Sequence, residues 1–315
     1  MRRHRYQKKF GRNHYCLLIN KEATNYNYRY VRKLTGAIRE KGAYYSIFEP
    51  NSAISLFQTA QRICGFRRWR HFIPPQFQKR GKVTSLIACG GDGTFNIVAR
   101  VALKADIPLG ILPIGACNNI ARSLHGTDGI ESAIKTILSQ NIRKIDSAKI
   151  ADQLFFGSLG IGFIPELSNL LNNQKKPRFS FGWSQLGYKA ATQVKKRKMI
   201  VKIDSFRFEV NPKIINVNLL PYTSYLPLSP TSICDDSQAE IIFDIDADSK
   251  LFSSYTRQLY KKKYIYGSDI KLFRGSNISF QPTKGILLYL DGELIEHPGN
   301  LIEIKVSEKQ LKVYC

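Results

Sequence analysis

Long apolar runs are absent from this chain of 315 residues. No stretch of 18 or more uncharged apolar residues occurs, so the sequence predicts no membrane-spanning helix. The basic N-terminal segment is followed by a short apolar run, Cys16 to Ile19, which is too short for the core of a signal peptide. Together these absences predict a cytoplasmic protein that does not cross a bilayer.

Cysteine and histidine are too few and too scattered to indicate a metal or disulfide framework. The six cysteines include no C-x-x-C pair, and the five histidines include no H-E-x-x-H pattern. Most of the cysteines lie in apolar runs, where a small buried side chain is the ordinary interpretation. The sequence therefore argues against a zinc site and against a disulfide-rich secreted fold.

Acidic residues are scarce relative to basic ones: 24 Asp and Glu stand against 48 Lys and Arg, for a formal net charge of +24. Such an excess predicts an anionic partner, either nucleic acid or an acidic membrane surface. Two segments lack acids altogether, an arm at residues 1–13 and an apparent insertion at residues 65–82 that mixes cations with aromatic rings. The insertion suits an interfacial membrane contact, whereas inward-packed aromatics or a single-stranded nucleic acid contact are the alternatives.

The most informative stretch that is present is a strand, a glycine-rich loop and a helix. An apolar run at residues 86–88 leads into Gly90, Gly91, Asp92, Gly93 and Thr94, and helical spacing follows. Glycine lets the backbone approach an anion closely, and a helix N-terminus favours negative charge there. Thr94 is the expected N-cap. Asp92 beside a phosphate implies a divalent cation, hence a nucleotide with Mg²⁺, although a tight turn is the alternative for these residues alone.

A second unit of the same kind follows directly. Residues 107–112 form another short apolar run, and Pro113, Gly115 and Asn118 form a polar loop that leads into a helix. The two helix N-termini are expected at the same strand edge, where open α/β sheets bind ligands. Neither loop is a Walker P-loop or a G-x-G-x-x-G dinucleotide fingerprint.

The segments GGDGTFN and PIGACNNIAR resemble the catalytic domain of the diacylglycerol kinase and sphingosine kinase superfamily, especially its soluble bacterial lipid kinases. The first segment is shared with NAD kinases, and the second favours lipid kinases. The resemblance implies ATP and Mg²⁺ as cofactors, with Asp92 near the ion. It implies that ATP is bound by Asn20, Gly90, Gly91, Asp92, Gly93, Thr94, Asn96, Gly115 and Asn118.

The pattern changes after residue 142, where short alternating runs typical of antiparallel strands begin. We therefore predict an α/β, Rossmann-like domain of the NAD-kinase and diacylglycerol-kinase type at residues 14–142. An all-β sandwich that binds the lipid follows at residues 143–315, its last residues returning to the first domain. Within it, residues 182–199 read as an amphipathic helix ending in four cations, which are either ordinary C-terminal charges or membrane-facing.

Two further sites follow from the resemblance. The tripeptide Asp291-Gly292-Glu293 matches the family's D-G-E, which implies Glu293 as general base assisted by Asp291. A hairpin turn is the alternative for this tripeptide. The turn around Asp236 resembles one that holds a structural Mg²⁺, which implies the Asp236 side chain with the carbonyls of Ile233 and Gln238, although Ser237 replaces a glycine there.

Three departures from the family pattern bear on activity. Ala116 replaces a threonine, Asn119 an aspartate and Ile97 an acidic residue. The leading hypothesis is an ATP-dependent lipid kinase for a diacylglycerol-like lipid, acting in phospholipid metabolism as a peripheral protein of an anionic membrane surface. A catalytically weak or inactive relative that binds membrane or a partner is the second hypothesis, and an NAD kinase the third. Nucleic acid is disfavoured as a partner, and a homodimer is left open.

Overall fold

The computed structural model describes residues 13–65, 84–173, 177–245, 247–263, 269–282, 285–298 and 301–315. Apart from residues 13 and 65, the basic arm and the 65–82 insertion lie outside the described residues. Within those ranges, no helix has both the length and the apolar character to span a membrane.

The first part of the chain is built on four parallel strands in the order β2-β1-β3-β4. They are β1 (His14–Ile19), β2 (Tyr44–Phe48), β3 (Ser85–Gly90) and β4 (Leu109–Pro113). Strands β1, β3 and β4 are buried along their whole length. Continuous apolar runs are typical of parallel strands covered on both faces, and the predicted α/β class is confirmed.

Helices cover both faces of these strands. They are α1 (Tyr28–Glu40), α2 (Ala53–Ile63), α3 (Asp92–Ala105), α4 (Asn119–His125) and α5 (Ile130–Ser139). Helices α2 and α3 share one apolar core, and α1 and α5 contribute to a second core. The strand ends at which the two glycine loops begin therefore lie between two helical layers.

The second part of the chain is rich in antiparallel strands. They are β5 (Ile142–Ile150), β6 (Gln153–Phe155), β7 (Ser158–Gly162), β8 (Met199–Ile203), β9 (Phe206–Val210), β10 (Ile214–Asn218), β11 (Ala239–Asp244), β12 (Ile270–Gly275), β13 (Asn277–Pro282), β14 (Ile286–Leu290), β15 (Glu293–His297) and β16 (Ile302–Tyr314). A six-stranded sheet has the order β12-β11-β10-β7-β14-β15. The first sheet continues beyond β4 through β16, β13, β8 and β9, and β5 and β6 are attached to it at β16. The six-stranded sheet packs on these added strands, with an apolar core between the two sheets.

Strand β16 joins the two parts. It pairs in parallel with β4 through Val313 and Leu109, and it pairs antiparallel with β5 and β13. Its first half, which includes Ile302 and Ile304, contributes to the core between the sheets. Leu311 and Val313 contribute to the core under α3. The last strand of the chain therefore supports the α/β half of the fold.

Three helices accompany the second sheet: α6 (Phe163–Asn173), α7 (Ser180–Gln193) and α8 (Ser249–Tyr260). The sequence predicts only α7, and it places that helix too late, at residues 182–199. The helix ends at Gln193 because Val194 is extended, so the cations at 195–198 follow the helix rather than end it. The sequence does not predict helix α8, because polar residues separate its buried residues, such as Phe252 and Leu259, and weaken the apolar pattern.

Candidate active site

The first glycine loop is tighter than the sequence predicts. Strand β3 ends at Gly90, Gly91 is the N-cap of α3, and the helix begins at Asp92. The expectation that Thr94 is the N-cap is therefore wrong, because Thr94 already lies in the first helical turn. Gly91 supplies no capping side chain, so the first N–H groups of α3 are left for another acceptor. That arrangement is the usual one for an anion at a helix N-terminus.

Close backbone approach explains why glycine is needed here. A Cβ built on Gly90 would lie 2.2 Å from the Oγ1 of Thr94, and a Cβ built on Gly115 would lie 2.2 Å from the Cα of Gly91. The two predicted loops therefore touch each other through their glycines. Asn20, at the end of β1, reaches the same place by donating a hydrogen bond from Nδ2 to the Oγ1 of Thr94 at 3.2 Å.

The second loop is shaped by Asn118, whose backbone is left-handed with φ of 53°. Its Oδ1 accepts a hydrogen bond from the N–H of Gly115 at 3.0 Å. Its Nδ2 donates to the carbonyls of Gly115 at 3.0 Å and Pro113 at 3.3 Å. The side chain of Asn118 therefore holds the loop backbone, and Gly115 stays against the first loop.

Asp92 ties the two loops together. Its carboxylate accepts hydrogen bonds from the backbone N–H groups of Asn119 and Ile120, both at 3.0 Å, and from the Nδ2 of Asn119 at 3.2 Å. It therefore caps α4, while burial raises its pKa and these donors oppose that rise. The role of Asp92 beside Mg²⁺ stays a prediction, and these contacts give it a structural task instead.

Asn119 connects this pair of loops to the second half of the chain, a link that sequence reasoning missed. Its Oδ1 accepts a hydrogen bond from the N–H of Tyr225 at 2.9 Å, and its Nδ2 lies 3.5 Å from the hydroxyl of Tyr289. An aspartate here would place a second carboxylate against Asp92, whereas the amide supplies a donor. The departure from the family pattern at this position is therefore compatible with the site geometry.

The Asp291-Gly292-Glu293 tripeptide is a hairpin turn between β14 and β15. Leu290 pairs with Glu293, and the two residues between them have φ of 48° and 106°. A two-residue turn with positive φ at both positions matches the twist of the flanking strands. The tripeptide is thus a hairpin turn, and the catalytic roles of Asp291 and Glu293 stay predictions.

Asp291 points inward and holds the start of β7. The side chain is 4% exposed and accepts hydrogen bonds from the N–H groups of Phe156, Gly157 and Ser158 at 2.7–2.8 Å. Burial raises the pKa of Asp291 to about 6, with the three donors acting in the opposite direction. Asp291 therefore fixes the position of the turn that carries Glu293.

Glu293 is exposed and faces the first glycine loop. A Cβ built on Gly93 would lie 3.7 Å from the Oε1 of Glu293. Near these groups, Asn96 is buried in the first turns of α3, and its Oδ1 has no hydrogen-bond partner among the residues that the structure describes. The fold thus brings an exposed carboxylate to a loop with uncapped N–H groups and an unpaired buried oxygen. The uncapped N–H groups suit an anion, whereas the carboxylate and the amide oxygen are acceptors and suit a hydrogen-bond donor.

The turn around Asp236 fits a magnesium ion poorly. One carboxylate oxygen of Asp236 accepts the N–H of Gln238 at 3.1 Å, and the other is paired with the guanidinium of Arg274. Across the described ranges, no three His, Cys, Asp or Glu side chains are grouped to hold a metal ion. The ligand set of Ile233, Asp236 and Gln238 stays a prediction, while Arg274 already supplies a positive charge at this carboxylate.

Comparison with known proteins supports the resemblance. Residues 14–150 match the family model of the diacylglycerol kinase catalytic domain. Diacylglycerol kinases of Staphylococcus saprophyticus and Staphylococcus haemolyticus are 24% and 23% identical to this chain over 225 residues. These matches cover 70% of this chain and 74% and 68% of the two relatives. A Staphylococcus aureus diacylglycerol kinase is 27% identical over 161 residues, 50% of this chain and 51% of the relative.

Solved structures extend the likeness to the whole chain. The crystal structure of a diacylglycerol kinase from Bacillus anthracis str. Sterne matches with a TM-score of 0.71, at 19% identity over 98% of both chains. A second structure from the same organism gives a TM-score of 0.76, at 19% identity over 97% of this chain and 98% of the other. The predicted fold class is thereby confirmed, and the predicted resemblance is supported by the family model and the curated relatives.

Proposed function

We propose that this relative of the diacylglycerol kinases is an ATP-dependent lipid kinase, which transfers the γ-phosphate to the hydroxyl of a diacylglycerol-like lipid. One observation carries the proposal: the carboxylate of Glu293 lies beside Gly93 in the first glycine loop. The lipid hydroxyl must lose its proton as it attacks the γ-phosphate, so a base is needed next to the phosphate-binding loop. Glu293 is the carboxylate at that position.

Phosphate binding would use the backbone of both loops. The uncapped N–H groups of α3 favour negative charge. Because the glycines of the two loops have no side chains, the phosphates could approach the backbone closely. Magnesium bound with ATP would offset the charge of the transferring phosphoryl group. Because Asp92 caps α4, the ATP phosphates rather than this carboxylate would be the main ligands of the ion.

Proton removal would depend on Glu293, and its position on Asp291. Glu293 is exposed, so it can accept a proton from an alcohol that enters from the second half of the fold. Asp291 cannot do so in its present contacts, since both of its oxygens accept backbone N–H groups. We therefore assign Glu293 as the base and Asp291 as a positioning residue.

The membrane would be the place of action. A formal charge of +24 favours an anionic surface, and each Lys or Arg near such a surface contributes about 1 kcal/mol. A diacylglycerol-like substrate resides in that surface. We infer a peripheral protein of the cytoplasmic face of the membrane.

The test is transfer of labelled γ-phosphate from Mg-ATP into anionic vesicles that contain diacylglycerol. The wild type is compared with Glu293→Gln and with Glu296→Gln, a matched change three residues along the same strand. We expect wild type and Glu296→Gln to label the lipid, and Glu293→Gln to be about 10²- to 10⁴-fold slower. Equal rates for all three proteins would remove Glu293 from its role while keeping the kinase.

An inactive membrane-binding relative is the second candidate, favoured by Ala116. This residue is exposed in the second loop, where the family pattern has a hydroxyl donor. Absence of labelled lipid from the wild type, across diacylglycerol, monoacylglycerol, ceramide and sphingosine, would favour this candidate. Phosphorylation of NAD in place of lipid would favour an NAD kinase.

A further inference from the structure

Helices α7 and α8 form an antiparallel pair on the second half of the fold. The hydroxyls of Ser184 and Ser253 lie 2.7 Å apart, and a Cβ built on Gly187 would lie 2.0 Å from the Oγ1 of Thr256. At one end, the hydroxyl of Tyr260 donates to the carbonyl of Arg178 at 2.8 Å. The start of α7 and the end of α8 therefore lie side by side.

This end of the pair is held rigidly by Trp183. Its indole is 1% exposed, donates to the carbonyl of Pro177 at 3.1 Å and stacks on the ring of Tyr260 with centroids 5.5 Å apart. Trp183 supplies the core contact of this segment. Phe179 and Phe181 are left outside, 77% and 70% exposed.

Two neighbouring phenylalanines in water are unfavourable unless a partner covers them, because each ring has a large apolar area to bury. The charges of the two neighbouring segments point to the chemistry of that partner. Residues 177–193 and 249–263 contain no Asp or Glu. Their cations are Arg178, Arg257, Lys261, Lys262 and Lys263 towards the end that carries the phenylalanines, and Lys189 and Lys250 towards the other end. Exposed aromatic rings surrounded by lysine and arginine match a surface that has acidic headgroups over an apolar interior.

We propose that this end of the molecule docks on an anionic lipid bilayer, an inference that rests on the proposed lipid kinase function. The docking tip consists of Arg178, Phe179, Phe181, Tyr260 and the lysines 261–263. The two phenylalanines enter the boundary between headgroups and acyl chains, and the cations contact the headgroups. The cations at 195–198, which the sequence singled out, belong to the other end of α7.

The position of the docking tip relative to the site supports the same partner. A cavity of about 400 Å³ lies beside the tip, and its lining includes Arg122, Trp183, Tyr225, Tyr260 and Lys262. The N–H of Tyr225 donates to Asn119, which in turn holds Asp92. A bilayer at the tip would therefore present its lipids to a cavity lined by Arg122 of α4, whose Nε donates to the carbonyl of Cys117 in the second loop at 3.1 Å.

The test compares three proteins on vesicles of phosphatidylcholine with phosphatidylglycerol and diacylglycerol. The tip variant is Phe179→Ser with Phe181→Ser, and the matched control is Ile54→Ser with Phe206→Ser, which removes apolar side chains that are 72% and 60% exposed elsewhere. We expect the tip variant to bind vesicles at least tenfold more weakly by sedimentation. The control should bind like the wild type, and thermal unfolding should show that all three proteins are folded.

A positive signal comes from Phe179→Trp. When vesicles are added, entry of the new indole ring into the bilayer should shift its fluorescence emission to the blue. The shift should exceed any change seen with the wild type. A purely structural role of Phe179 would not produce this difference. Vesicles of phosphatidylcholine alone should give a weaker shift, because they lack the anionic headgroups. If the emission of the Phe179→Trp protein does not shift, or if the tip variant binds like the wild type, the docking proposal is overturned.

Kinase assays separate this proposal from the proposed function. With a short-chain diacylglycerol dispersed in detergent, the tip variant should keep the wild-type rate, whereas on vesicles it should be at least tenfold slower. If the wild type binds vesicles through the tip but labels no lipid in either assay, the docking stands and the kinase function falls. If the tip binds an acidic protein but not anionic vesicles, the proposal that it docks on a bilayer is wrong.

Discussion

Two aspartates at the centre of the site act on backbone rather than on the cleft. Asp92 caps α4, and Asp291 accepts three N–H groups at the start of β7. Each carboxylate thereby joins segments that are distant in sequence. The exposed Glu293 is left as the carboxylate beside the glycine loop, and for that reason it is the residue proposed as the base.

Gly115 is the residue whose size matters most for the joined loops. In Gly115→Ala the new methyl group would lie 2.2 Å from the Cα of Gly91, so one backbone must shift. We expect a loss of about 1–3 kcal/mol in the free energy of unfolding, as for an overpacked core. The KM for ATP should rise as well, because the shifted backbone belongs to the proposed phosphate site. Urea unfolding and steady-state kinetics measure the two effects.

Gly36→Ala is the control for that change. Nothing lies within 4 Å of a Cβ at Gly36, which is inside α1. The same methyl group should stabilise the protein by about 0.5–1 kcal/mol, because alanine favours a helix interior more than glycine does. If Gly115→Ala changes neither the free energy of unfolding nor the KM for ATP, the close contact between Gly91 and Gly115 is not required.

At the scale of elements, β16 determines whether the two halves fold together. Leu311 is fully buried, in the core that also contains residues of α3. Leu311→Ala should lower the free energy of unfolding by about 2–5 kcal/mol. The α/β half should lose stability in the same transition as the β-rich half, because the strand pairs with both. Urea unfolding followed by circular dichroism and by nucleotide binding tests this.

Leu301→Ala is the matched change at the other end of the same segment. Leu301 is 50% exposed, so its loss should alter the free energy of unfolding by no more than about 0.5 kcal/mol. Two separate transitions in Leu311→Ala, with nucleotide binding retained in the first, would contradict the supporting role of β16.

The predictable elements are those whose pattern is local. Strands β1, β3 and β4 are continuous apolar runs, and the glycines between β3 and α3 indicate the loop. The sequence does not predict the start of α3 at Asp92, because the carboxylate of Asp92 binds the first residues of α4, a contact that residue spacing does not contain. Asn119 appeared in the sequence only as a departure from a pattern, since its partner Tyr225 lies in a distant segment.

For the whole molecule, charge is the dominant property. With a formal net charge of +24, basic residues outnumber acidic ones, and folding brings the excess cations closer together than they are in the unfolded chain. Surface ion pairs such as Lys33 with Glu131 contribute about 0–1 kcal/mol each, which is too little to offset this repulsion. The folded state is therefore under electrostatic stress at low ionic strength.

Sodium chloride should relieve that stress. Between 0.01 M and 0.1 M salt the Debye length falls from about 30 Å to about 10 Å, which screens repulsion across the surface. We expect the Tm to rise by a few degrees over this range and then to level off, as measured by calorimetry. Vesicle binding should respond in the opposite sense, because the same ions screen attraction to headgroups. If the Tm falls with added salt, attractive ion pairs outweigh the repulsion between cations in the folded state. The excess of cations would then not be an argument for an anionic partner.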